Sequence, residues 1–219
     1  MAAFYNLVST RCRDGNHKAL QHWYSDHLQL LLTSPHLESA HLLRCDTALQ
    51  GDAPDYLCIY EFASSMAFDQ FEQGAEKARA TELTNAAAGR SSIDITQREQ
   101  FVRLLSCSWG ADSSAPKQRL LLQLNLPQSS GDSLAALRWF NAQLHQARST
   151  MPLFGASLYA GQSKPDLWLA HLELGECDLS QAWLLLAELL QQPASYGQPP
   201  NQWQVNWVAC AQSVVQSGR

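Results

Sequence analysis

The second half of this chain repeats the plan of its first half, and this repeat constrains the fold more than any other feature. Trp23 and Trp139 stand 116 positions apart, and four further leucine and alanine pairs share that offset. With five fewer residues between the partners, the segment 55–61 aligns with the segment 166–172. Because an internal repeat defines a whole architecture, the pattern predicts two structural units of the same kind.

Hydrophobic periodicity predicts the same order of elements, βαββαβ, in both halves. The predicted strands are 4–10, 37–45, 56–63 and 100–108 in the first half and 119–126, 153–160, 167–174 and 204–214 in the second; the predicted helices are 17–32, 65–81, 133–147 and 179–190. The polar stretches 46–54 and 85–98 are predicted as loops. A βαββαβ unit is the ferredoxin-like fold, a four-stranded antiparallel sheet with both helices on one face.

The open face of such a sheet needs a cover, because its apolar residues would otherwise form an exposed patch. Two units in one chain can press these faces together. We therefore predict an α+β fold in which two ferredoxin-like repeats pack sheet to sheet as an intrachain barrel. The expected domains are residues 1–110 and 119–219, joined by a linker at 111–118 that contains Ser113, Ser114 and Pro116. Two separate units, each covered by another copy, are the alternative.

Composition excludes several classes of partner. The net charge is −5 and the chain has no run of Lys or Arg, which argues against nucleic acid and anionic membranes. No apolar stretch is long enough to span a bilayer, and the N-terminus lacks the pattern of a signal peptide. Six scattered cysteines without a CxxC pair fit reduced thiols. We expect a cytoplasmic protein, as a monomer or a homodimer.

The first half resembles the dimeric α+β barrel superfamily, in particular its EthD-like branch. The resemblance lies in Trp23-Tyr-Ser-Asp-His27-Leu, in the stretch from Leu30 to Arg44, and in Asp55-Tyr-Leu-Cys-Ile-Tyr60-Glu61-Phe. It covers residues 4–108 by motif and 119–214 by pattern alone. The resemblance implies a tandem internal duplication of this barrel unit. Relatives include aromatic polyketide cyclases, cofactor-free monooxygenases, muconolactone isomerase-like enzymes and haem-degrading proteins, so fold alone does not select a reaction.

The motif residues are missing from the second half. The repeat matches His27 with Gln143 and Arg44 with Ala160. We therefore expect the first half to supply most of any polar site, and the second half to act mainly as a structural partner.

Three residues are the candidates for catalysis. His27 lies on the apolar face of its predicted helix, where an imidazole can shuttle protons near neutral pH; the alternative is a histidine that fixes helix packing. Tyr60 lies in the centre of a strand, where a phenol can donate to a developing oxyanion; the alternative is a core tyrosine. The repeat alignment pairs His171 with Tyr60, so both side chains are expected to approach one central cavity.

Five further residues are candidates for substrate binding. They are Tyr24, His41, Asn6, Arg44 and Trp168. His41 and Arg44 are three apart on one strand, so they face opposite sides of the sheet. An ion pair with Glu61 is the structural alternative for Arg44, and packing explains Trp168 equally well.

The predicted function is a small enzyme without a dedicated cofactor. It would perform acid/base chemistry, a cyclisation, isomerisation or elimination, on a hydrophobic or aromatic carbonyl compound in the barrel cavity. No metal motif is present, so no metal is expected. Haem, with His27, His145 or His171 as axial ligand, is the alternative cofactor. A non-catalytic ligand-binding or scaffolding protein is the second interpretation, and a cofactor-free or haem-dependent oxygenase is the third.

Overall fold

The structure is a computed structural model that describes residues 4–87, 89–110, 118–126, 133–192 and 203–218. Within these ranges the strands are β1 (Phe4–Cys12), β2 (Ser39–Gly51), β3 (Tyr56–Phe62), β4 (Ile93–Ser108), β5 (Gln118–Asn125), β6 (Leu153–Gly161), β7 (Leu167–Leu174) and β8 (Gln204–Gly218). The helices are α1 (His17–Leu31), α2 (Ser65–Glu72), α3 (Ala75–Asn85), α4 (Ser133–Ala147) and α5 (Leu179–Leu189). In the part of the chain described, no helix is long and apolar enough to cross a membrane.

The strands form a closed barrel in the order β1-β3-β2-β8-β5-β7-β6-β4, which confirms the predicted α+β fold class. The chain divides into two compact units. Unit 1 holds the residues up to Cys45, Pro54–Val102 and those from Gln212 onward; unit 2 holds Asp46–Ala53 and Arg103–Ala211. Each unit contains a βαββαβ string, in which the first strand of the string pairs with the third and the fourth. The predicted linker lies outside the described residues except for Gln118, which begins β5.

Helix α1 packs its apolar stripe against the sheet of unit 1. Asn16 begins the helix, and its side chain accepts a hydrogen bond from the Ala19 amide at 3.2 Å, which satisfies one of the amides that have no partner within the helix. The buried residues recur every three or four positions, as predicted: Leu20, Trp23, Tyr24, Leu28 and Leu31. They share a core with alternate residues of β1 and β3, which are Phe4, Val8, Tyr56, Cys58, Tyr60 and Phe62.

The core of unit 2 has the same plan and a more uniform composition. Its helix side chains include Trp139, Phe140, Leu144, Trp183 and Leu186, and its strand side chains include Leu120, Leu122, Ala170, Leu172 and Val208. Leu120, Leu172 and Val208 are fully buried. Burial of such apolar surface is the main stabilising contribution to a fold of this kind.

Most boundaries agree with the prediction to within four residues, and three differences are larger. The predicted helix 65–81 is two helices, because Gly74 takes an extended backbone and begins α3 as its N-cap. Strand β2 continues through the predicted loop to Gly51, and β4 begins at Ile93 rather than at Gln100. The alternation of apolar Ile93 and Ile95 with polar neighbours is a strand signal that the polar composition of the segment obscured.

Candidate functional site

Unit 1 contains a pocket between the helix-facing side of its sheet and helices α1 and α3. Its apolar wall includes Val8, Trp23, Leu31, Phe71 and Ile93, and its volume is about 140 Å³. A cavity of about 150 Å³ holds one benzene molecule. The pocket therefore has room for one aromatic ring or a group of similar size, with any further part of the ligand extending out of its open side.

Four of the eight residues singled out from the sequence line this pocket: Asn6, Tyr24, His27 and Tyr60. Asn6 and Tyr60 are directly opposed on β1 and β3. Both point toward the helices because side chains at alternate strand positions share a face and their neighbours Val8 and Cys58 belong to the helix-side core. The four side chains therefore meet between the sheet and the helices of unit 1, and not in the central barrel cavity that the sequence predicted.

The other four are not among the described residues that line the pocket. His41 lies opposite Ile59, on the face of β2 that points away from the core shared with the helices. Arg44 lies opposite Tyr56, whereas Glu61 is paired with Ser39, so the expected ion pair between Arg44 and Glu61 is wrong.

Trp168 and His171 belong to unit 2, on β7. Trp168 is part of the helix-side core, and its indole Nε1 donates to the Pro165 carbonyl at 3.1 Å. His171 is half-buried. Its neighbours Ala170 and Leu172 face the helices, so the side chain of His171 lies on the other face of the sheet.

The register shows that the alignment of Tyr60 with His171 is off by one residue. In unit 1, Ala40 lies opposite Tyr60. At the matching position of unit 2, Ala156 lies opposite Leu172. The counterpart of Tyr60 is therefore Leu172. A shift of one residue in a strand moves every side chain to the other face, which is why the predicted partnership of Tyr60 and His171 fails.

His27 is held in one tautomer. The Thr84 hydroxyl donates to the Ala80 carbonyl at 2.7 Å, so its oxygen accepts from His27 Nδ1–H at 2.9 Å. This network leaves Nε2 of His27 as a proton acceptor. The ring stacks on Trp23 with centroids 4.5 Å apart. Burial lowers the pKa of His27 to about 4, and the positive charges of Arg90 and Lys77 act in the same direction. The imidazole is therefore neutral at physiological pH.

The two tyrosines and the asparagine supply neutral polar groups to the same pocket. Burial raises the pKa of Tyr60 well above its ordinary value, and burial likewise raises the pKa of Tyr24. Both phenols therefore keep their protons at physiological pH. Asn6 is 6% exposed, and its side-chain oxygen Oδ1 has no hydrogen-bond partner in the described part of the chain. A buried acceptor without a partner is destabilising by about 1–3 kcal/mol, so a ligand that donates to it would recover that free energy.

Charged side chains lie at the open side of the pocket. Lys77 forms an ion pair with Glu72, whereas Arg90 and Arg98 also line the pocket without a carboxylate from the described residues against them. Gly89 precedes Arg90 with a positive φ of 96°, where a side chain would collide with the Ala19 carbonyl. The backbone of α1 therefore determines where Arg90 enters the site.

A β-bulge orients Arg98. The pairing of β1 with β4 shifts between Ser9 and Thr10, so Gln97 and Ile95 face consecutive β1 residues and Thr96 is the extra residue. Bulges of this kind re-aim side chains and are common beside active sites. Here the bulge places Arg98 and Ile95 on the same helix-facing side although they are three positions apart. Neither Arg90 nor Arg98 was expected from the sequence to reach a site, because both lie in the segment 85–98 that was predicted as a loop.

Comparison with known proteins identifies the fold. No family model and no curated protein matches the chain. Among solved structures, a candidate monooxygenase from Fusobacterium nucleatum has a TM-score of 0.64 at 6% identity over 100% of this chain and 95% of that one. An anthrone oxidase-like protein has a TM-score of 0.55 at 10% identity over 99% and 92% of the two chains. A variant of chlorite dismutase from Candidatus Nitrospira defluvii has a TM-score of 0.59 at 10% identity over 97% and 92%.

The chain shares the α+β barrel fold of these structures. Because identities of 6–10% show the fold alone, they carry no reaction to this protein. The EthD-like assignment and the tandem duplication remain predictions.

The unit 1 pocket does not fit a haem. Its volume of about 140 Å³ accommodates one ring, whereas a haem macrocycle contains four pyrrole rings. The bond from His27 Nδ1 to Thr84 leaves Nε2 able to bind a metal, so it is the small volume of the pocket that weighs against a haem. In the described part of the chain, no three His, Cys, Asp or Glu residues are grouped as metal ligands.

Proposed function

We propose that this protein is a cofactor-independent enzyme that transfers a proton within a small aromatic carbonyl or phenolic compound bound in the unit 1 pocket. The observation that carries the proposal is the convergence of a neutral imidazole, a neutral phenol and an unpartnered amide oxygen in one apolar pocket. An apolar pocket with a few converging polar groups is the usual form of a small-molecule site.

His27 has the role of proton acceptor. Its Nε2 takes the proton from a carbon beside the substrate carbonyl, and the electron pair of that C–H bond moves to the carbonyl oxygen. Tyr60 donates a hydrogen bond to this oxygen as its negative charge develops. Return of the proton from His27 to a different carbon completes an isomerisation, and attack of the enolate carbon on a second carbonyl completes a cyclisation. Because the pKa of His27 is lowered to about 4, its imidazole is a weaker base than an ordinary histidine and its protonated form is a stronger acid, so the return of the proton is favoured over its removal.

A cofactor-free oxygenase is the second candidate. The names of the neighbouring structures favour it, since one is a candidate monooxygenase and another is anthrone oxidase-like. The same deprotonation would then produce a carbanion that reacts with O₂ as co-substrate.

A non-catalytic binding protein is the third candidate, and unit 2 favours it. Gln143 occupies the position of His27, and its Nε2 donates to the Gln192 carbonyl at 2.7 Å. A glutamine thus links the first helix of unit 2 to the end of its last helix, as His27 does in unit 1 through Thr84. This similarity shows that the link alone does not require an imidazole.

Hydrogen–deuterium exchange of a ketone tests the proposal directly. Acetophenone and 4-acetylbenzoate are incubated with the protein in D₂O, and loss of the methyl signal is followed by proton NMR. We expect protein-dependent exchange that falls by about 100-fold or more in His27→Gln, the size of a general-base contribution. The matched control is His22→Gln, because His22 is an exposed histidine on the same helix. An oxygen electrode in the same samples distinguishes the oxygenase.

Equal exchange in the wild type and in His27→Gln would overturn the assigned role. Absence of exchange from both ketones, with binding retained, would favour the non-catalytic interpretation.

The shared plan of the two units supports the further proposal of a tandem duplication of an EthD-like unit. In unit 2 the pairing of β5 with β8 shifts between Gln123 and Leu124, the counterparts of Ser9 and Thr10 by register. A bulge at the same place in both sheets is hard to explain by the general fold alone, because bulges are retained as features within families.

A further inference from the structure

The electrostatics of the unit 1 pocket contrast with those of the chain. The whole chain has a net charge of −5, yet the charged residues that line the pocket are Lys77, Arg90, Arg98 and Glu72. The ion pair between Lys77 and Glu72 cancels one charge of each sign. Two arginine charges therefore remain at the pocket, where a cleft with low-dielectric walls concentrates their field.

The two arginines lie toward solvent and Asn6 lies at the buried end. Arg98 is exposed and Arg90 is half-buried, whereas Asn6 is 6% exposed. In the β1–β4 ladder Asn6 lies opposite Gln100 and Val8 lies opposite Arg98. Asn6 and Arg98 are thus diagonal neighbours, whose backbones are about 7–8 Å apart. The long side chain of Arg98 extends this separation, so a ligand that contacts both must be about one ring long.

The two ends of the pocket require different groups. The Oδ1 atom of Asn6 accepts a hydrogen bond and has no donor among the described residues, so the ligand must bring an O–H or N–H to it. A guanidinium group is a donor only and pairs best with a carboxylate or phosphate, often through two parallel hydrogen bonds. The apolar wall between these ends fits an aromatic ring.

We infer that the ligand is a single-ring aromatic acid, with a hydroxyl group that donates to Asn6 and an anionic group, para to it, that binds Arg90 and Arg98. This inference rests on the pocket of the proposed function and specifies the class of its substrate. In this position Arg90 and Arg98 hold the ring by its anionic group.

Calorimetric binding of four probes to the intact protein tests the inference. The probes are 4-hydroxybenzoate, benzoate, 4-hydroxybenzyl alcohol and 4-hydroxyphenyl phosphate. We expect the dissociation constant of 4-hydroxybenzoate to be at least about tenfold lower than those of the neutral alcohol and of benzoate. The alcohol loses hydrogen bonds to a charged group, and benzoate leaves the buried Asn6 oxygen without a donor. Added salt should weaken the binding of 4-hydroxybenzoate but not that of the alcohol. The phosphate probe distinguishes a carboxylate from a phosphate as the natural anion.

Two variants connect the affinities to named residues. Arg98→Gln should remove about tenfold of the preference for 4-hydroxybenzoate over the alcohol, while Arg79→Gln, an exposed arginine on α3 outside the pocket lining, should not. Asn6→Leu should abolish the preference for 4-hydroxybenzoate over benzoate. Because Arg98 is exposed, its substitution should leave the fold intact, which the melting temperature verifies.

Equal affinity for the acid and the alcohol, or a preference unchanged by Arg98→Gln, would overturn the inference. These results are independent of the ketone exchange experiment. Arginine-dependent binding of 4-hydroxybenzoate without any exchange would retain the ligand class and reject the catalytic proposal; His27-dependent exchange of acetophenone without a preference for anions would do the reverse.

Discussion

The two units build the same framework around different interiors. Register matches the pocket residues Asn6, Tyr60 and Arg98 of unit 1 with Leu120, Leu172 and Val208 of unit 2. On the first helix of each unit, Tyr24 and His27 correspond to Phe140 and Gln143 through the repeat offset. Four of these five side chains thus have an apolar counterpart in unit 2, and the three strand counterparts are fully buried.

The features that the units share are the structural ones. Trp23 Nε1 donates to the Thr84 carbonyl at 2.8 Å, and Trp139 Nε1 donates to the Gln192 carbonyl at 3.2 Å. Each tryptophan connects the first helix of its unit to the C-terminal end of the last helix. The comparison separates what the framework needs from what is special to unit 1. The tryptophan hydrogen bond occurs in both units and therefore belongs to the framework. Asn6, Tyr60 and Arg98 have apolar counterparts in unit 2 and are therefore special to the pocket.

Truncating the two tryptophans should show the largest difference between the units. Trp139→Ala should lower the free energy of unfolding by about 4 kcal/mol, as expected for a tryptophan in a packed core. Trp23→Ala should cost clearly less, because one side of Trp23 already borders the pocket. Urea denaturation measures both. Since both variants lose the same type of hydrogen bond, an equal or reversed cost would contradict the view that the interior of unit 2 is the better packed one.

Acid should destabilise unit 1 through His27. The folded protein holds the pKa of His27 near 4, whereas the unfolded chain has the ordinary value of about 6.5. As the pH falls from about 6.5 to 4, the unfolded state binds a proton that the folded state does not, so the free energy of unfolding decreases by about 3 kcal/mol. Unfolding measured across this range should be less pH-dependent in His27→Gln. Gln143→His introduces an imidazole at a fully buried position, so it should make the pH dependence steeper; no change in either variant would contradict the assignment.

Replacing Asn6 by its unit 2 counterpart should produce the smallest effect on stability, and one of opposite sign. Asn6→Leu removes a buried acceptor without a partner among the described residues, so it should stabilise the fold by about 1 kcal/mol while abolishing the preference for 4-hydroxybenzoate over benzoate. The reverse change, Leu120→Asn, buries a polar group in a packed core and should destabilise. Thermal unfolding of both variants measures the change in stability, and calorimetry measures the change in ligand binding. Destabilisation by Asn6→Leu would indicate that Asn6 already has a partner in the folded protein.

The sequence was sufficient for the framework because the framework depends on periodic apolar residues. The stripe of α1 and the leucine-rich strands of unit 2 predicted their elements closely, and α4 begins and ends at the predicted residues Ser133 and Ala147. Such patterns report which side of an element is buried, and that is the physical quantity that determines the packing of helices on a sheet.

The sequence was insufficient for the site because the site depends on single-residue shifts. The repeat alignment was wrong by one position on β7, so it paired His171 with Tyr60. The two side chains in fact lie on opposite faces of their sheets, Tyr60 toward the helices and His171 away from them. The bulge at Thr96 brought Arg98 and Ile95 to the same side, against the alternation that a regular strand requires. Asn6, Tyr24 and His27 were found because they lie on regular elements before these irregularities.

Gly89 has a consequence for how the pocket can change over evolutionary or laboratory time. Any side chain at this position would push against the backbone of α1 at Ala19 and would also require the unfavourable φ of 96°. Substitutions of Gly89 are therefore strongly disfavoured, and the backbone that positions Arg90 is restricted. A change of ligand specificity should therefore come from substitutions of lining side chains such as Ile95 or Phe71. Such substitutions change the chemistry of the pocket and leave the backbone at Gly89 in place.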